Sequence, residues 1–356
     1  MIKVLIVDDS ASVTMLLSQI INEQNDMQVI GKANNGRDAI ELAEKLRPDI
    51  ITMDIHMPGV DGFEATRTIM QNTPTPIVII SSLLNNKEMK ISFKALEEGA
   101  LAVLEKPPGP ANPKFESVCR DLVDTLRAMS GMRVIRKREI IKLSQSLLKV
   151  AETDSSSFNQ FESICPKKII AIASSTGGPA AIKDILSELP EGLPVPIVIV
   201  QHISSGFLSC MVDWIQASVT LRCEVASQGQ ALKPGHVYFA PDGYHMMIED
   251  SEEGLIAKLE DFPPINLHRP SATPLFKSVA ASCGDRAIGI VLTGMGSDGA
   301  EGLLEMKSVS ATTFVQDKVS SIVHSMPEAA LAIGAASEAI SIEMIAPRII
   351  QLLKGG

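Results

Sequence analysis

The chain has 356 residues, which is long enough for two domains with a hydrophobic core each. Hydrophobic residues make up 45% of it and aromatic residues only 4%, a balance typical of α/β layers built from aliphatic side chains. The net charge of -10 argues against nucleic acid as a partner, because phosphate binding needs a basic surface.

The charge is unevenly distributed along the chain. Residues 1–125 have a net charge of -6, residues 126–167 of +4, and the remainder of -8. A basic connector therefore separates two acidic blocks. We predict a first domain at 1–125, a linker at 126–166 and a second domain at 167–356.

The cysteines and the N-terminal segment indicate the cellular compartment. The five cysteines are scattered without a CxxC pair, which is typical of reduced thiols in a cytosolic protein. The opening segment MIKVLIVDDS is too short and too quickly charged for a signal peptide, and no apolar run approaches the ~20 residues that span a membrane. We expect a cytoplasmic protein without membrane insertion.

Short apolar runs alternate with amphipathic helical patterns through the first block, which predicts a doubly wound parallel sheet. The predicted strands are 2–7, 28–33, 49–53, 76–81 and 101–104. The predicted helices are 12–22, 38–46, 62–71, 87–98 and 113–129. In the linker, residues 139–150 have the spacing of a short amphipathic helix.

The alternation resumes at residue 168 and predicts a second doubly wound α/β domain. Its predicted strands are 169–173, 195–200, 287–292 and 312–316. Its predicted helices are one that ends near 189, then 207–218, 271–283, 300–308 and two that close the chain. Residues 222–262 read as short strands and turns.

Charged side chains follow the predicted strands of the first domain. Asp8 and Asp9 end the first strand, Asp54 ends the third, and Lys106 follows the fifth. Parallel strands gather such residues at one edge of the sheet, where converging carboxylates need a cation, and oxygen ligands favour Mg2+. A carboxylate beside Mg2+ and a lysine can accept a phosphoryl group. The hydroxyl of Ser81 could donate a hydrogen bond to that group.

This arrangement resembles the receiver domain of bacterial response regulators, a flavodoxin-like fold. The matching segments are VDDS at 7–10, MDIHMPGVDG at 53–62, SS at 81–82 and KP at 106–107. The resemblance implies that a histidine kinase phosphorylates Asp54, with Mg2+ held by Asp8 or Asp9, Asp54 and the backbone of His56. It assigns Ser81 and Lys106 to the phosphorylation switch.

One residue departs from the pattern of receiver domains. Many receivers have an aromatic switch residue three positions before the lysine, and here that position is Val103. The usual rotation of an aromatic ring therefore has no counterpart at this position.

Three residues of the second domain suit nucleophilic catalysis. Ser175 lies at a strand-to-helix turn, His202 ends the next strand, and Asp298 lies in a glycine-rich turn. A nucleophile, a base and an orienting carboxylate at one sheet edge can activate a hydroxyl group. Backbone N–H groups of Thr176, at the start of the helix, and of Met295 are candidates for an oxyanion site.

The residues alone leave alternatives open. The run Ser-Ser-Thr-Gly-Gly could hold a phosphate, although it matches neither a P-loop nor a GxSxG motif. Residue types do not separate Ser174, Ser175 and Thr176 as nucleophiles. The histidines at 236, 245 and 268 could suggest zinc, but their spacing fits no compact ligand motif.

The second domain resembles the catalytic domain of the chemotaxis protein-glutamate methylesterase family, a Rossmann-like α/β fold. The matching segments are AIASSTGGPAAI at 171–182, QHISSGF at 201–207, PGHVYFAPDGYHM at 234–246, HRPS at 268–271, LTGMGSDGA at 292–300 and MPEAA at 326–330. The resemblance places the nucleophile on Ser175, the histidine on His202 and the aspartate on Asp298. The family usually has Gly-Ala before that serine, where this chain has Ala173 and Ser174.

The resemblance implies hydrolysis of glutamate methyl esters on methyl-accepting chemoreceptors, and deamidation of receptor glutamines, without a cofactor in the catalytic domain. We expect the receiver to cover the active-site edge until Asp54 is phosphorylated. Two other hypotheses remain: a degenerate hydrolase that serves as a phosphorylation-controlled binding module, and an esterase for a small soluble ester.

Overall fold

A computed structural model describes residues 1–82, 86–132 and 168–354, with residues 86–90 described by their backbone alone. The chain divides into two compact units, Met1–Ser156 and Ser157–Gly356. The predicted linker helix at 139–150 lies outside the described residues, and the predicted domain boundaries stay predictions.

The first unit contains a five-stranded parallel sheet with the strand order β2-β1-β3-β4-β5. The predicted doubly wound fold is thereby confirmed. The strands are β1 (Ile2–Val7), β2 (Met27–Ala33), β3 (Ile50–Met53), β4 (Ile77–Ser81) and β5 (Ala102–Glu105). The helices are α1 (Ala11–Asn22), α2 (Gly36–Leu46), α3 (Gly62–Asn72), α4 (Asn86–Glu97) and α5 (Phe115–Met129).

Polar caps start three of these helices directly after the strands. The side chains of Ser10, Asn35 and Asp61 accept backbone N–H groups of the first turns of α1, α2 and α3. Such caps satisfy donors that a helix leaves unpaired. Each cap therefore sets where the chain turns back from the edge of the sheet, which is the edge that carries Asp8 and Asp54.

A glycine lets α3 begin against the third strand end. The N–H of Gly62 donates to the carbonyl of Ile55 at 2.9 Å, and a Cβ at Gly62 would collide with the carbonyl of Asp54. This close approach brings the loop 55–61 around Asp54.

The second unit contains a seven-stranded parallel sheet with the order β15-β14-β13-β6-β7-β10-β8. Its strands are β6 (Ile169–Ser174), β7 (Ile197–Gln201), β8 (Arg222–Val225), β10 (His236–Phe239), β13 (Ala287–Val291), β14 (Thr312–Gln316) and β15 (Glu338–Ile340). The helices are α6 (Gly178–Glu188), α7 (Leu208–Gln216), α8 (Ala272–Cys283), α9 (Ala300–Ser308), α10 (Ser325–Ala332) and α11 (Ile342–Leu353). The predicted second α/β domain is confirmed.

A small antiparallel sheet accompanies the parallel one, with β9 (Gln230–Ala231), β11 (His245–Ser251) and β12 (Gly254–Glu260) in the order β11-β12-β9. It packs on α8, where Ser278 Oγ accepts the N–H of Ile248 at 2.9 Å. Across the described residues, no helix has the length and apolar character needed to cross a membrane.

Candidate functional sites

Two buried carboxylates meet one lysine at the carboxyl edge of the first sheet. Lys106 Nζ lies 2.8 Å from Asp8 Oδ2 and 2.9 Å from Asp54 Oδ2. Asp8 and Asp54 are buried, whereas Asp9 is exposed. Strands β1, β3 and β5 end at this edge, so the predicted residues come together as the parallel sheet requires.

The surroundings shift the pKa values of the central pair. Burial raises the pKa of Asp54, against the opposing effect of Lys106. Burial alone would lower the pKa of Lys106, but its hydrogen bonds to Asp8 and Asp54 outweigh that effect and raise it. The lysine therefore stays charged beside a carboxylate that is costly to keep ionised.

The carboxylates fit a divalent cation. Ligand atoms of Asp8, Asp9 and Asp54 all lie within 4.8 Å of one another. Apart from the Lys106 ammonium, Asp8 Oδ2 has no hydrogen-bond partner in the described chain although it is buried. An oxygen-only set with a spare buried oxygen suits a hard ion such as Mg2+.

The other predicted residues lie on strands β4 and β5 and in the loop after β3. Ser81 is buried at the end of β4, accepts a hydrogen bond from Ser92 at 3.0 Å, and accepts the N–H of Lys106 with its carbonyl at 2.8 Å. The backbone N–H of His56 donates to the carboxylate of Asp54. Val103 is half-buried in β5 and packs against the core.

Neighbouring serines at the end of β6 have different environments. Ser174 is fully buried, and its hydroxyl donates to Oε1 of Gln201 at 2.6 Å. Ser175 is half-exposed in the turn before α6, and its N–H donates to the carbonyl of Thr293 at 3.1 Å. Of the three candidates for the nucleophile, Ser174 is therefore closed to solvent, whereas Ser175 and Thr176 are both partly exposed.

His202 contacts Asp298 at the same sheet edge. Its Nε2 lies 2.9 Å from Asp298 Oδ2, and both side chains are nearly inaccessible to solvent. Its Nδ1 is buried and has no hydrogen-bond partner among the described residues. The backbone N–H of His202 donates to the carbonyl of Ser174 at 2.9 Å, which ties His202 to the serine turn.

Asp298 lies at the N-terminus of α8, where several groups donate to its carboxylate. Ser271 Oγ donates to Oδ1 at 2.6 Å, the N–H of Ala272 donates to Oδ2 at 2.6 Å, and Thr273 Oγ1 donates to Oδ1 at 3.0 Å. Burial would raise the pKa of Asp298, but His202 and these donors hold it well below its usual range. Asp298 is therefore ionised at neutral pH.

A second histidine covers the ring of His202. The rings of His268 and His202 are stacked, and burial and the charge of His202 lower the pKa of His268 to about 4. His245 is fully buried, and its Nδ1 accepts the N–H of Ser271. His236 lies 2.9 Å from Glu224 instead. His236, His245 and His268 thus have separate partners.

The candidate oxyanion donors lie on turns beside Ser175. The N–H groups of Thr176 and Met295 have no acceptor among the described residues. Gly294 leaves room for Ser175, because a Cβ there would lie 2.8 Å from the Cβ of Ser175. Free N–H groups beside a half-exposed hydroxyl suit a developing negative charge.

Four residues of this site have no role that a local sequence pattern predicts. Ser271 and His268 lie within the segment HRPS, and Gln201 directly precedes His202. Gln316 is a buried polar residue at the end of β14. Its position at the end of a predicted parallel strand is the sequence feature that indicates a place at the functional edge of the sheet.

Comparisons with known proteins agree with both halves of the chain. The family model described as "CheB methylesterase" matches residues 170–349, and that described as "Response regulator receiver domain" matches residues 4–112. The crystal structure of the Thermotoga maritima CheB methylesterase catalytic domain is 32% identical, with a TM-score of 0.51, over 52% of this chain and 98% of that one.

Relatives also match along nearly the whole chain. A protein-glutamate methylesterase/protein-glutamine glutaminase 2 of Methanospirillum hungatei is 43% identical over 93% of this chain and 92% of its own length. A protein-glutamate methylesterase/protein-glutamine glutaminase of Nitrosospira multiformis is 41% identical over 99% and 97%. The chain is therefore a hydrolase that belongs to the CheB methylesterase family and carries a response regulator receiver domain.

Proposed function

We propose that this protein hydrolyses methyl esters of glutamate side chains on methyl-accepting chemoreceptors, in the cytoplasm, under control of its receiver domain. Ser175 is the nucleophile, His202 the general base and Asp298 the orienting carboxylate. The observation that carries the proposal is the contact of His202 Nε2 with Asp298 at 2.9 Å. The buried Nδ1 of the same ring has no partner within the described parts of the chain.

The proposed chemistry begins with the proton of the Ser175 hydroxyl. Because Asp298 stays ionised, Nε2 of His202 keeps its proton and Nδ1 is the free base. Nδ1 takes the proton as Ser175 Oγ attacks the ester carbonyl, and Asp298 stabilises the imidazolium that results. The N–H groups of Thr176 and Met295 stabilise the oxyanion.

The acyl-enzyme forms when the tetrahedral intermediate collapses. His202 returns its proton to the leaving methoxide, and methanol departs. A water molecule then gives a proton to His202 and attacks the acyl carbon. The bond between that carbon and Ser175 Oγ breaks, His202 returns the proton to Oγ, and a glutamate side chain is released. A receptor glutamine follows the same route with ammonia as the leaving group, which gives the second activity.

In the receiver half, Asp54 is the proposed phosphoacceptor and a histidine kinase the phosphodonor. Lys106 contacts Asp54 and neutralises oxygens of the transferred group, and the hydroxyl of Ser81 is the proposed hydrogen-bond donor to that group. Asp8, Asp9, Asp54 and the carbonyl of His56 would hold Mg2+. The bound ion supplies charge neutralisation at the phosphoryl oxygens.

Methanol release tests the proposal. Purified full-length protein is incubated with methylated receptor, with and without a small-molecule phosphodonor. We expect release that the phosphodonor increases, that Ser175→Ala abolishes, and that Ser174→Ala retains in large part. No release from the wild type, or equal release from Ser175→Ala, would contradict the enzymatic function as written.

The same assay separates the alternative functions. A binding module would retain the receptor in a pull-down without releasing methanol. An esterase for small molecules would cleave a soluble methyl ester and leave the methylated receptor intact. Deletion of residues 1–165 tests the control by the receiver, because release from an inhibitory receiver raises activity without phosphodonor, whereas unchanged or lower activity contradicts simple occlusion.

A further inference from the structure

Two glutamine side chains end strands on either side of the proposed catalytic turns. Gln201 is the last residue of β7, Gln316 is the last residue of β14, and both are almost fully buried, at 3% and 1% exposure. Strands β6 and β13 lie between them in the sheet. A buried polar group is costly unless its hydrogen bonds are made, so the partners of these amides matter.

Gln201 joins the nucleophile turn to the histidine. Its Nε2 donates to the carbonyl of Ser175 at 2.8 Å and to the carbonyl of His202 at 2.7 Å. The hydroxyl of Ser174 donates to Oε1 at 2.6 Å. This bond orients the amide group so that its Nε2 faces the two carbonyls. One amide group thus sets the distance between the backbones of Ser175 and His202.

Gln316 holds the neighbouring turn in a similar way. Its Oε1 accepts the N–H of Thr293 at 2.8 Å, and its Nε2 donates to the carbonyl of Ser320 at 2.8 Å. The carbonyl of Thr293 in turn accepts the N–H of Ser175 at 3.1 Å. Hydrogen bonds therefore run without a break from Gln316 through Thr293 and Ser175 to Gln201.

Little space is left around the amide group of Gln201 at the start of α6. A Cβ at Gly178 would collide with Oε1 of Gln201 and lie 2.8 Å from the hydroxyl of Ser174. The glycine that starts α6 therefore makes room for Gln201 as well as for the turn. The hydroxyl of Ser174, where the family more often has alanine, adds a bond to Gln201 that a methyl group could not supply.

We propose that Gln201 and Gln316 are positioning residues of the hydrolase: their amide groups hold the serine turn, the histidine and the Thr293–Met295 turn in register. The inference rests on the proposed function, since it assigns the nucleophile to Ser175. Neither amide touches the reacting atoms. Each acts through the backbone that it binds, and an error of 1 Å in such an arrangement costs about 100-fold in rate.

The test compares isosteric variants of the full-length protein. Gln201→Met and Gln316→Met keep the length of the side chain and lose its hydrogen bonds, whereas Gln201→Glu keeps the acceptor for Ser174 and loses the Nε2 donor. We expect kcat for methanol release to fall about 10- to 100-fold in each, with KM within about twofold. Ser174→Ala should give a smaller decrease that adds nothing in a Gln201→Met background.

Gln216 provides the matched control. Its Nε2 also donates to two carbonyls, those of Val219 at 3.4 Å and Leu221 at 3.2 Å, and its Oε1 accepts the N–H of Cys223 at 2.8 Å. It is the last residue of α7, and none of these hydrogen-bond partners belongs to the serine turn. Gln216→Met should lower the thermal stability, by less than Gln201→Met because Gln216 is half-buried and its Nε2 bonds are longer, and should leave kcat unchanged. A kcat of Gln201→Met within twofold of the wild type, or an equal loss in Gln216→Met, would overturn the inference.

A second readout separates this inference from the proposed substrate. A fluorophosphonate reacts with an activated serine by forming an Oγ–P bond and expelling fluoride, whatever the natural ester is. If the wild type is labelled at Ser175 but releases no methanol from methylated receptor, the proposed substrate is wrong. The labelling rate of the variants still tests the positioning role of the two glutamines. We expect labelling of Ser175 to slow at least tenfold in Gln201→Met and Gln201→Glu and not in Gln216→Met. Equal labelling rates in all variants would contradict the role of Gln201.

Discussion

The imidazole of His268 lies flat against that of His202, with ring centroids 3.9 Å apart and planes inclined by 3°. Asp298 holds the edge of the His202 ring and His268 covers one face of it. His268 comes from a tight turn in which Asn266 and Leu267 both have a positive φ, and its N–H donates to the carbonyl of Ile265 at 2.9 Å. Edge and face contacts together leave His202 little freedom to rotate.

Loss of the stacked ring should slow the reaction. Aromatic pairs contribute about 0.5–1.5 kcal/mol beyond their buried area, which corresponds to at most about tenfold in rate if it all serves to orient His202. We expect His268→Ala to lower kcat by about that factor and His268→Phe to restore most of it. Steady-state methanol release measures both. A His268→Phe variant as slow as His268→Ala would show that stacking is not the cause.

His268 should also make the second unit sensitive to mild acid. Its folded-state pKa of about 4 lies below the ordinary value of 6.5, so the unfolded chain binds more protons between these values. The free energy of unfolding should therefore fall as the pH falls from about 6.5 to 4, and not change through this group above 6.5. Urea unfolding followed by the single tryptophan, Trp214, measures it. The free energy of unfolding should change less with pH in His268→Phe between pH 6.5 and 4. An unchanged dependence on pH would contradict the prediction.

Asp298→Asn should abolish most of the activity while keeping the fold. An amide oxygen in place of Oδ1 can still accept from Ser271 and Thr273, but the NH2 group in place of Oδ2 loses the bond from Ala272 and favours the wrong tautomer of His202. In a related triad geometry such a change costs about 10⁴-fold in kcat. Replacing a charged acceptor by a neutral one should lower the free energy of unfolding by about 1–2 kcal/mol. Kinetics and urea unfolding of the same preparation check both values. Activity within tenfold of the wild type would exclude Asp298 as the orienting group.

Asp54→Asn should separate control from catalysis. Without the carboxylate there is no phosphoacceptor, so we expect no stimulation of methanol release by a phosphodonor and basal activity within about twofold. Asp49→Asn is the matched control, because Asp49 is exposed before the same strand and only accepts the N–H of Lys3 at 2.7 Å. Stimulation that survives in Asp54→Asn would place the acceptor elsewhere.

Gly294→Ala should reduce activity through crowding. The added methyl group would lie 2.8 Å from the Cβ and 2.9 Å from the N of Ser175 and would collide with Sδ of Met326. The serine turn must then shift, and we expect kcat to fall about 100-fold. Gly192→Ala, where nothing lies within 4 Å, should behave like the wild type. Normal kinetics of Gly294→Ala would show that the turn adapts at no cost.

The regular elements could be predicted from local patterns. Strands 2–7 and 312–316 and the helix 300–308 have the predicted bounds, because aliphatic runs and helical spacing are properties of neighbouring residues. The strand Glu338–Ile340 was missed, since three residues carry no period. The antiparallel sheet was seen only as short strands and turns, because its pairing depends on contacts with α8.

The site could be predicted only in part. Positions at strand ends gave Asp54, Ser175 and His202, since parallel topology places strand ends together. The donors around Asp298 are about 26 residues away in the chain, and no local pattern connects them. The hydrogen bond between Ser174 and Gln201 depends on the burial of Ser174. Burial distinguishes Ser174 from Ser175, whereas residue type does not.

The hydrogen bonds across β14, β13, β6 and β7 have a consequence for synthesis of the protein. Gln316 is 115 residues later in the chain than Gln201, and Asp298 lies between them. A nascent chain that has completed the receiver and even Ser175 still lacks the carboxylate and the last amide. The proposed active site is therefore complete only when nearly all of the chain has been synthesised, long after the receiver domain.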